Sequence, residues 1–167
     1  MSVLPQQDQQ QPAPQPAPQA GQIARQRRLR LLARADAARL QSVLQAWPAL
    51  PVYRRLKPPE TGLAMLRARA GGVGQRFNLG EMTVSRCVVV LENDGAMGVG
   101  YVQGRDQRKA EMVALCDALA QDAAGAEWLE TLLLSALEAE LAAKQQAWAS
   151  KVAATKVDFF TLVRGED

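Results

Sequence analysis

The sequence predicts an α+β fold, in which an antiparallel β-meander is covered by helices and preceded by a basic helix. Three observations lead to this prediction. Residues 52–103 have several segments of strand character, of which Met82–Leu91 is rich in β-branched side chains and is followed by an Asp-Gly pair that is typical of a β-hairpin turn. Two segments after residue 104 repeat apolar residues three and four positions apart, as amphipathic helices do. A further helical pattern, rich in arginine, precedes the strands.

The chain begins with a segment that is poor in large apolar side chains. Residues 1–21 contain five of the nine prolines and seven glutamines. Such a segment cannot bury enough surface to offset the entropy lost on ordering, so we predict a disordered Pro/Gln-rich leader. Residues 22–48 are predicted to form an N-terminal helix that Pro48 ends. Residues 49–167 are predicted to form the α+β core, with a long C-terminal helix and an apolar tail.

Four segments have the character of strands. Val52–Lys57 is short and bounded by prolines, and Leu66–Ala70 alternates apolar residues with arginines. Met82–Leu91 is the clearest strand, and the Asp-Gly pair that follows it predicts a hairpin to a return strand over Met97–Gln103. These segments predict a meander with one face to be covered.

Two helices are predicted to provide that cover. Asp106 is the expected N-cap for a helix that runs to about residue 122 and has an apolar stripe of Met112, Val113, Cys116, Leu119 and Ala120. A second helix runs from about 127 to 154 and has an apolar stripe of Leu134, Leu137, Leu141, Trp148 and Val152. The tail after it is apolar, and Phe159 and Phe160 would each contribute about 1.5–3 kcal/mol on burial. We therefore regard Phe159, Phe160 and Arg164 as candidate interface residues. The tail is either a last strand of the chain's own sheet or an addition to a partner's sheet.

Composition excludes several kinds of chemistry. The chain has no histidine and two cysteines, whereas zinc, non-haem iron and iron–sulfur sites take three or four such ligands. A catalytic triad needs a histidine. Cys87 and Cys116 lie in apolar runs and are expected to be core residues. We expect no metal site and no bound cofactor. With neither a secretory segment nor an apolar run long enough to cross a membrane, a cytoplasmic protein is expected.

Charge is distributed unevenly along the chain. Residues 1–60 hold nine basic and three acidic side chains, and residues 61–167 hold eleven basic and fourteen acidic ones. A basic front half favours an acidic or polyanionic partner, nucleic acid included. The alternative is that the arginines form a solvated helix face.

Two glycine-rich stretches are candidate phosphate sites. Gly71-Gly72-Val73-Gly74 is followed by Arg76, but it lacks the Lys-Ser/Thr of a phosphate loop, and a tight turn explains it equally well. The stretch over residues 98–106 leads into a helix whose start carries Arg105, Arg108 and Lys109. Cations at that end disfavour an isolated helix and favour a bound anion. The alternative is that Asp106 simply caps the helix.

The acidic residues form no obvious catalytic pair. Glu60, Glu81 and Glu111 fall on separate elements, and Glu138 and Glu140 are expected on a solvated helix face. The residues by themselves therefore predict an α+β protein without a self-contained active site.

Several short stretches form an ordered set of motifs. They are ETGL at 60–63, GGVGQRFNLGEMTVSRC at 71–87, GYVQGRD at 100–106, AE at 110–111, DAL at 117–119 and VDFFTLVRG at 157–165. Each stretch is unspecific, but their order and spacing together are specific. In this order they resemble one family, the G subunit of the bacterial carbon–phosphorus lyase core complex (PhnG), and the likeness runs from about residue 25 to residue 167.

The resemblance implies a cytoplasmic assembly that degrades organic phosphonates. In that family the G subunit joins the H, I and J subunits, two copies of each, and the L subunit takes part in the synthase step. MgATP is a substrate of the assembly, and an alkylphosphonate displaces adenine from the ribose C1 carbon. The I subunit is the main catalyst and the radical step belongs to J. The resemblance therefore implies an accessory subunit whose catalytic residues lie on its partners.

One position departs from the family's pattern. Relatives often carry a histidine before the Ala-Glu of residues 110–111, where this chain has Lys109. A proton-transfer role is thereby put in doubt, whereas a positive charge is retained.

A nucleic-acid-binding module is the alternative function that the basic front half suggests.

Overall fold

A computed structural model describes residues 20–70 and 74–155 of the chain. The prediction of an α+β fold with an antiparallel sheet is confirmed. The predicted leader and the apolar tail lie outside the described residues, except that Ala20 and Gly21 already belong to the first helix. The elements, in order, are α1 Ala20–Arg34, α2 Ala37–Gln45, β1 Tyr53–Arg69, β2 Arg76–Leu91, β3 Met97–Gln103, α3 Gln107–Leu119, α4 Ala123–Leu129, a π-helical turn Glu130–Leu134, and α5 Ser135–Ala154.

The sheet is a three-stranded antiparallel meander in the order β1-β2-β3. The predicted hairpin between β2 and β3 is present, and β3 has the predicted bounds. Gly95 adopts a φ of 73°, which is costly for any residue with a Cβ, and the Asp94 carboxylate accepts a hydrogen bond from the Ala96 amide at 2.9 Å.

The first strand differs from the prediction. Two short strands were expected over Val52–Lys57 and Leu66–Ala70, whereas the structure has one continuous strand, β1, in this region. β1 passes through Pro58 and Pro59 with register shifts on both sides of Lys57. Proline lacks an amide hydrogen and is tolerated in an edge strand or at a bulge, and β1 lies at the edge of the sheet that the described residues form.

The N-terminal helical segment also differs from the prediction, because it forms two helices. The chain becomes extended at Asp36, with φ −69° and ψ 143°. Leu31 and Leu32 of α1 and Leu40 and Val43 of α2 are all buried in one core. The break gives each helix its own direction, which allows both leucine-rich faces to reach that core.

α3 lies at the centre of the molecule. The predicted stripe of apolar residues is buried, but so are Ala114, Leu115 and Asp117, so every residue from Met112 to Leu119 is buried. The sheet packs on one side of α3, and α1 and α2 pack on others, so this part of α3 has no solvent face, whereas its first turn, with Gln107 and Arg108, is exposed.

The second covering helix begins earlier than predicted and contains a π-helical turn. Asp122 caps α4, and α4, the π turn and α5 follow without a break. Leu134 and Leu137 of the predicted stripe are buried, whereas Trp148 is 70% exposed. The last part of α5 therefore extends away from the core.

Candidate functional site

The junction between β3 and α3 is held firmly by local hydrogen bonds. The Asp106 carboxylate accepts a hydrogen bond from the Lys109 amide at 2.8 Å, as expected of an N-cap. Gly104, with a φ of 93°, turns the chain between strand and helix. The buried hydroxyl of Ser85 donates to the Gly104 carbonyl at 2.9 Å. The start of α3 is therefore fixed to the neighbouring strand β2.

Three of the predicted cationic residues meet at this junction. Arg105 and Arg108 are exposed and Lys109 is half-buried. Arg108 donates a hydrogen bond to the Gln41 side chain at 3.3 Å, and none of the three forms an ion pair with another described residue. Free amides and the helix dipole add positive potential at the same end of α3. The arrangement can attract a phosphate or phosphonate group on a neighbouring molecule.

The structure places the fourth predicted residue, Arg76, elsewhere. It begins β2, eight residues before Val84, where Gln103 at the end of β3 pairs. At about 3.3 Å per residue, Arg76 is roughly 26 Å along the strand from the start of α3. Arg76 and the cations of α3 therefore do not form one site. Gly71–Val73 of the glycine stretch lie outside the described residues.

The glycines before the junction have a packing role. A Cβ on Gly98 would lie 1.9 Å from the Ala114 carbonyl oxygen, and one on Gly100 would lie 1.8 Å from that of Ala110. Because Gly98 and Gly100 have no side chain, α3 can lie directly on β3 at these positions. These two glycines thus serve helix–strand contact, while Gly104 serves the turn.

A cavity that sequence reasoning missed lies beside the cationic cluster. It has a volume of about 360 Å³, and Arg108 and Glu111 of α3 line it together with Leu44, Leu50 and Tyr53. The Glu111 carboxylate accepts a hydrogen bond from the Tyr53 hydroxyl at 3.0 Å and one from Arg55 at 2.7 Å. Burial and the bond to Glu111 raise the pKa of Tyr53. The register of β1 creates this group, and nothing in the spacing of the sequence indicated it.

A second carboxylate is held on the sheet. Glu60 contacts Lys57 at 3.0 Å and also pairs with Arg86 on β2. The hydrogen bonds from Lys57 and Arg86 lower the pKa of Glu60. Glu60 and Glu111 are therefore both engaged by cations of the chain itself.

Asp117 is a fully buried carboxylate in α3. It accepts hydrogen bonds from Arg25 at 2.7 Å and from the Val99 amide at 3.1 Å, and Arg28 lies 3.6 Å away. Asp117 thus joins α1, α3 and β3. Arg25 and Arg28 were predicted to face solvent or an acidic partner, and the structure shows that both contact Asp117 of the same chain.

Further arginines of the basic front half pair with the acidic second half. Arg27 binds Glu130 at 2.8 Å and also pairs with Glu138, while Arg39 binds Glu140 at 2.6 Å. The hydrogen bonds from Arg27 lower the pKa of both Glu130 and Glu138. Glu138 and Glu140 of α5, which were expected on a solvated face, are about half-exposed, and each is also paired with an arginine.

The remaining candidates concern cysteines, metals and membranes. Burial raises the pKa of Cys87 to about 11 and that of Cys116 to about 12, as expected of inert core thiols. Within residues 20–70 and 74–155, no three acidic or cysteine side chains come together as a metal site, and no helix is long and apolar enough to span a membrane. Phe159, Phe160 and Arg164 lie outside the described residues.

Two comparisons identify similar proteins. The family model described as "Phosphonate metabolism protein PhnG" matches residues 23–165. A curated relative from Rhizobium meliloti (strain 1021) is 44% identical over 148 residues, which cover 89% of this chain and 94% of the relative. That relative is named "Alpha-D-ribose 1-methylphosphonate 5-triphosphate synthase subunit PhnG".

Proposed function

The chain belongs to the PhnG family of phosphonate metabolism proteins, and we propose that it is an accessory subunit of a ribose 1-methylphosphonate 5-triphosphate synthase. The likeness to the Rhizobium subunit over nearly the full length of both chains is the observation that carries the proposal. The other subunits are those that the resemblance implies: H, I and J in two copies each, with L taking part in the synthase step. The assembly would act in the cytoplasm.

The proposed reaction uses MgATP and an alkylphosphonate. An oxygen of the phosphonate forms a bond to the ribose C1 carbon, and the bond from C1 to adenine breaks. Adenine leaves with the electron pair of that bond and takes up a proton. The product is a ribose 1-alkylphosphonate 5-triphosphate.

An accessory role is supported by how the acidic side chains are used. Glu60, Glu111 and Asp117 each contact one or more cations of the chain, so they are engaged in holding elements together. We therefore place the catalytic residues on partner subunits and assign none to this chain. MgATP is a substrate of the assembly and not a cofactor of this subunit.

The cationic start of α3 is proposed to assist the substrate. Arg105, Arg108 and Lys109 point to a role in attracting the triphosphate or the phosphonate near a partner's active site.

Reconstitution tests the subunit assignment. Adenine release from MgATP and methylphosphonate is measured with the I, H and L subunits, with and without this chain. We expect adenine release to depend on the chain. Release at the same rate without it, or failure of the chain to co-elute with the H, I and J subunits on size exclusion, would reject the assignment.

Substitution tests the cationic cluster. Arg105→Ala combined with Lys109→Ala is expected to raise the KM for ATP or phosphonate by about tenfold, as the loss of a charge-assisted contact of about 1.4 kcal/mol would. The assembly should remain intact. Arg54→Ala, an exposed cation on β1, is the matched control and should leave the KM unchanged. An unchanged KM in the double variant would assign the cluster to the solvated surface.

A nucleic-acid-binding module is the alternative, and the ion pairs of the structure weigh against it. Arg25, Arg27 and Arg39 of the basic front half are paired within the chain. They are therefore not free to meet a phosphate backbone.

A further inference from the structure

β1 and β2 continue past the rest of the sheet as a two-stranded ribbon, formed by residues 62–69 and 76–83. β3 ends at Gln103 opposite Val84, so no third described strand lies beside the ribbon. α3 begins only at Gln107, whose side chain reaches Thr61 at the base of the ribbon. A two-stranded hairpin without cover is marginally stable in water. The ribbon therefore needs a surface to pack against.

Apolar side chains on both faces of the ribbon are exposed. Leu63 is 64% exposed and Leu79 is 61% exposed, and Met65, Leu66 and Phe77 are exposed by a third to a half or more. Alternation along β1 puts Leu63 and Met65 on one face and Leu66 on the other. A concentration of large apolar groups on both sides of a projecting element is typical of an interaction site.

Arginines crowd the free end of the ribbon. Arg69 lies directly opposite Arg76, and Arg67 stands two residues from Arg69 on the same face. Like charges in directly opposite positions destabilise a strand pair. None of the three forms an ion pair with a described residue. Carboxylates on another molecule would pair with these arginines and offset the repulsion between them.

We propose that the ribbon is a docking element for another protein subunit, whose receiving surface has an apolar centre bordered by aspartate and glutamate. A second copy of this chain fits less well, because it would bring the same arginines into contact. The inference rests on the proposed function only in taking the partner from the same assembly. It does not depend on the cations of α3 or on adenine release.

Charge reversal at one arginine separates docking from a structural role. Arg69→Glu creates a favourable pair with Arg76 inside the ribbon, so the isolated variant should melt at the wild-type temperature or above. Docking on an acidic border should nevertheless weaken, and we expect the affinity for the co-expressed partner subunits to fall about tenfold. Arg54→Glu, at the other end of β1, is the matched control and should assemble as the wild type does.

A second variant tests the apolar part. Leu63→Thr with Leu79→Thr introduces β-branched side chains, which suit a strand, and removes exposed apolar groups. It should fold and lose affinity for the partner subunits. If both variants assemble as tightly as the wild type, the docking proposal is wrong while the subunit assignment stands. If the wild type itself does not assemble, both are wrong.

Amide hydrogen exchange identifies the occupant. Amides of residues 62–69 and 76–83 should exchange rapidly in the isolated chain and slowly in the assembly. Slow exchange in the isolated chain that is lost on removing residues 156–167 would make the chain's own tail the occupant and overturn the proposal. Slow exchange that appears with concentration, together with a dimer on size exclusion, would assign the ribbon to a second copy and overturn it too.

Discussion

Glycine shows why single residues in a motif are hard to interpret before the fold is known. The stretch from Gly98 to Asp106 leads through glycines into the start of a helix, and the sequence left open whether it binds a phosphate or whether Asp106 simply caps the helix. In the structure, Gly98 and Gly100 are needed because α3 approaches within contact of β3 at both. Which chain approaches a glycine depends on tertiary packing, and no local pattern records it.

We predict that Gly100→Ala destabilises the protein. The new Cβ would fall 1.8 Å from the Ala110 carbonyl oxygen, so α3 would have to shift from β3. The expected loss in the free energy of unfolding is about 1–3 kcal/mol, measured by urea denaturation. Gly80→Ala is the matched control in β2, because its Cβ would meet nothing within 4 Å and should change stability by less than about 0.5 kcal/mol. Equal effects of the two would contradict the close approach.

We also predict that Asp117→Asn destabilises the protein, because Arg25 and Arg28 both lose their counter-charge. Removing one member of a buried ion pair costs about 3–5 kcal/mol, and the partial exposure of Arg25 places the expected loss near the lower figure. Glu127→Gln, an exposed carboxylate on α4, should be neutral within about 0.5 kcal/mol. The free energies of unfolding of the two variants in urea test this prediction. An unchanged value for Asp117→Asn would show that α1 is held by apolar packing alone.

At the scale of elements, the sequence was most informative where local chemistry decides the outcome. The Asp-Gly turn, the β3 strand and the Asp106 cap are as predicted, since each rests on hydrogen bonds within a few residues. β1 was divided at Pro58 and Pro59 because proline normally interrupts a strand. Only the sheet order shows that β1 is at the edge of the sheet within residues 20–70 and 74–155, where the missing amide is tolerated.

The pairing of Arg27 with Glu130 and Glu138 joins α1 to the long C-terminal helix and should respond to acid. Arg27 holds the pKa of both carboxyls below the ordinary 4.5. Their contribution to stability is therefore complete above the ordinary pKa and is lost as the pH falls through the lowered values. We predict that Arg27→Gln melts below the wild type at neutral pH and that the two melting temperatures converge as the pH falls through the lowered pKa values of Glu130 and Glu138.

Thermal melts at a series of pH values check this prediction. Arg54→Gln, an exposed cation without an ion pair among the described residues, serves as control and should follow the wild-type curve at every pH. A constant difference between Arg27→Gln and the wild type across the series would mean that Arg27 acts through packing and not through its two carboxylates.

At the scale of the whole molecule, the unevenly distributed charges are largely paired with one another within the chain. The basic front half and the acidic second half of the sequence are complementary surfaces of α1, α2, α3 and α5. Among the described cations without acidic partners, two groups stand out, one at the start of α3 and one at the free end of the ribbon, roughly 26 Å apart along β2. Two separate functions are thereby proposed for them, one toward substrate and one toward a partner subunit.

Weak binding to nucleic acid follows from this distribution. We predict that the isolated chain binds a 30-base-pair DNA duplex no more tightly than the micromolar range at about 50 mM salt. A gel-shift titration measures it. Tight binding that falls steeply as salt is raised would restore the nucleic-acid hypothesis and would show that the unpaired arginines act on phosphates.

The sequence by itself determined the fold class, the N-cap of α3, the β2–β3 turn and, through the order of its motifs, the family. Tertiary structure alone decided the break at Asp36, the continuity of β1, and the partners of the charges. Arg25 meets Asp117 across 92 positions and Arg27 meets Glu138 across 111. Turns and caps depend on neighbours along the chain, whereas these pairs depend on how packed elements bring distant segments together.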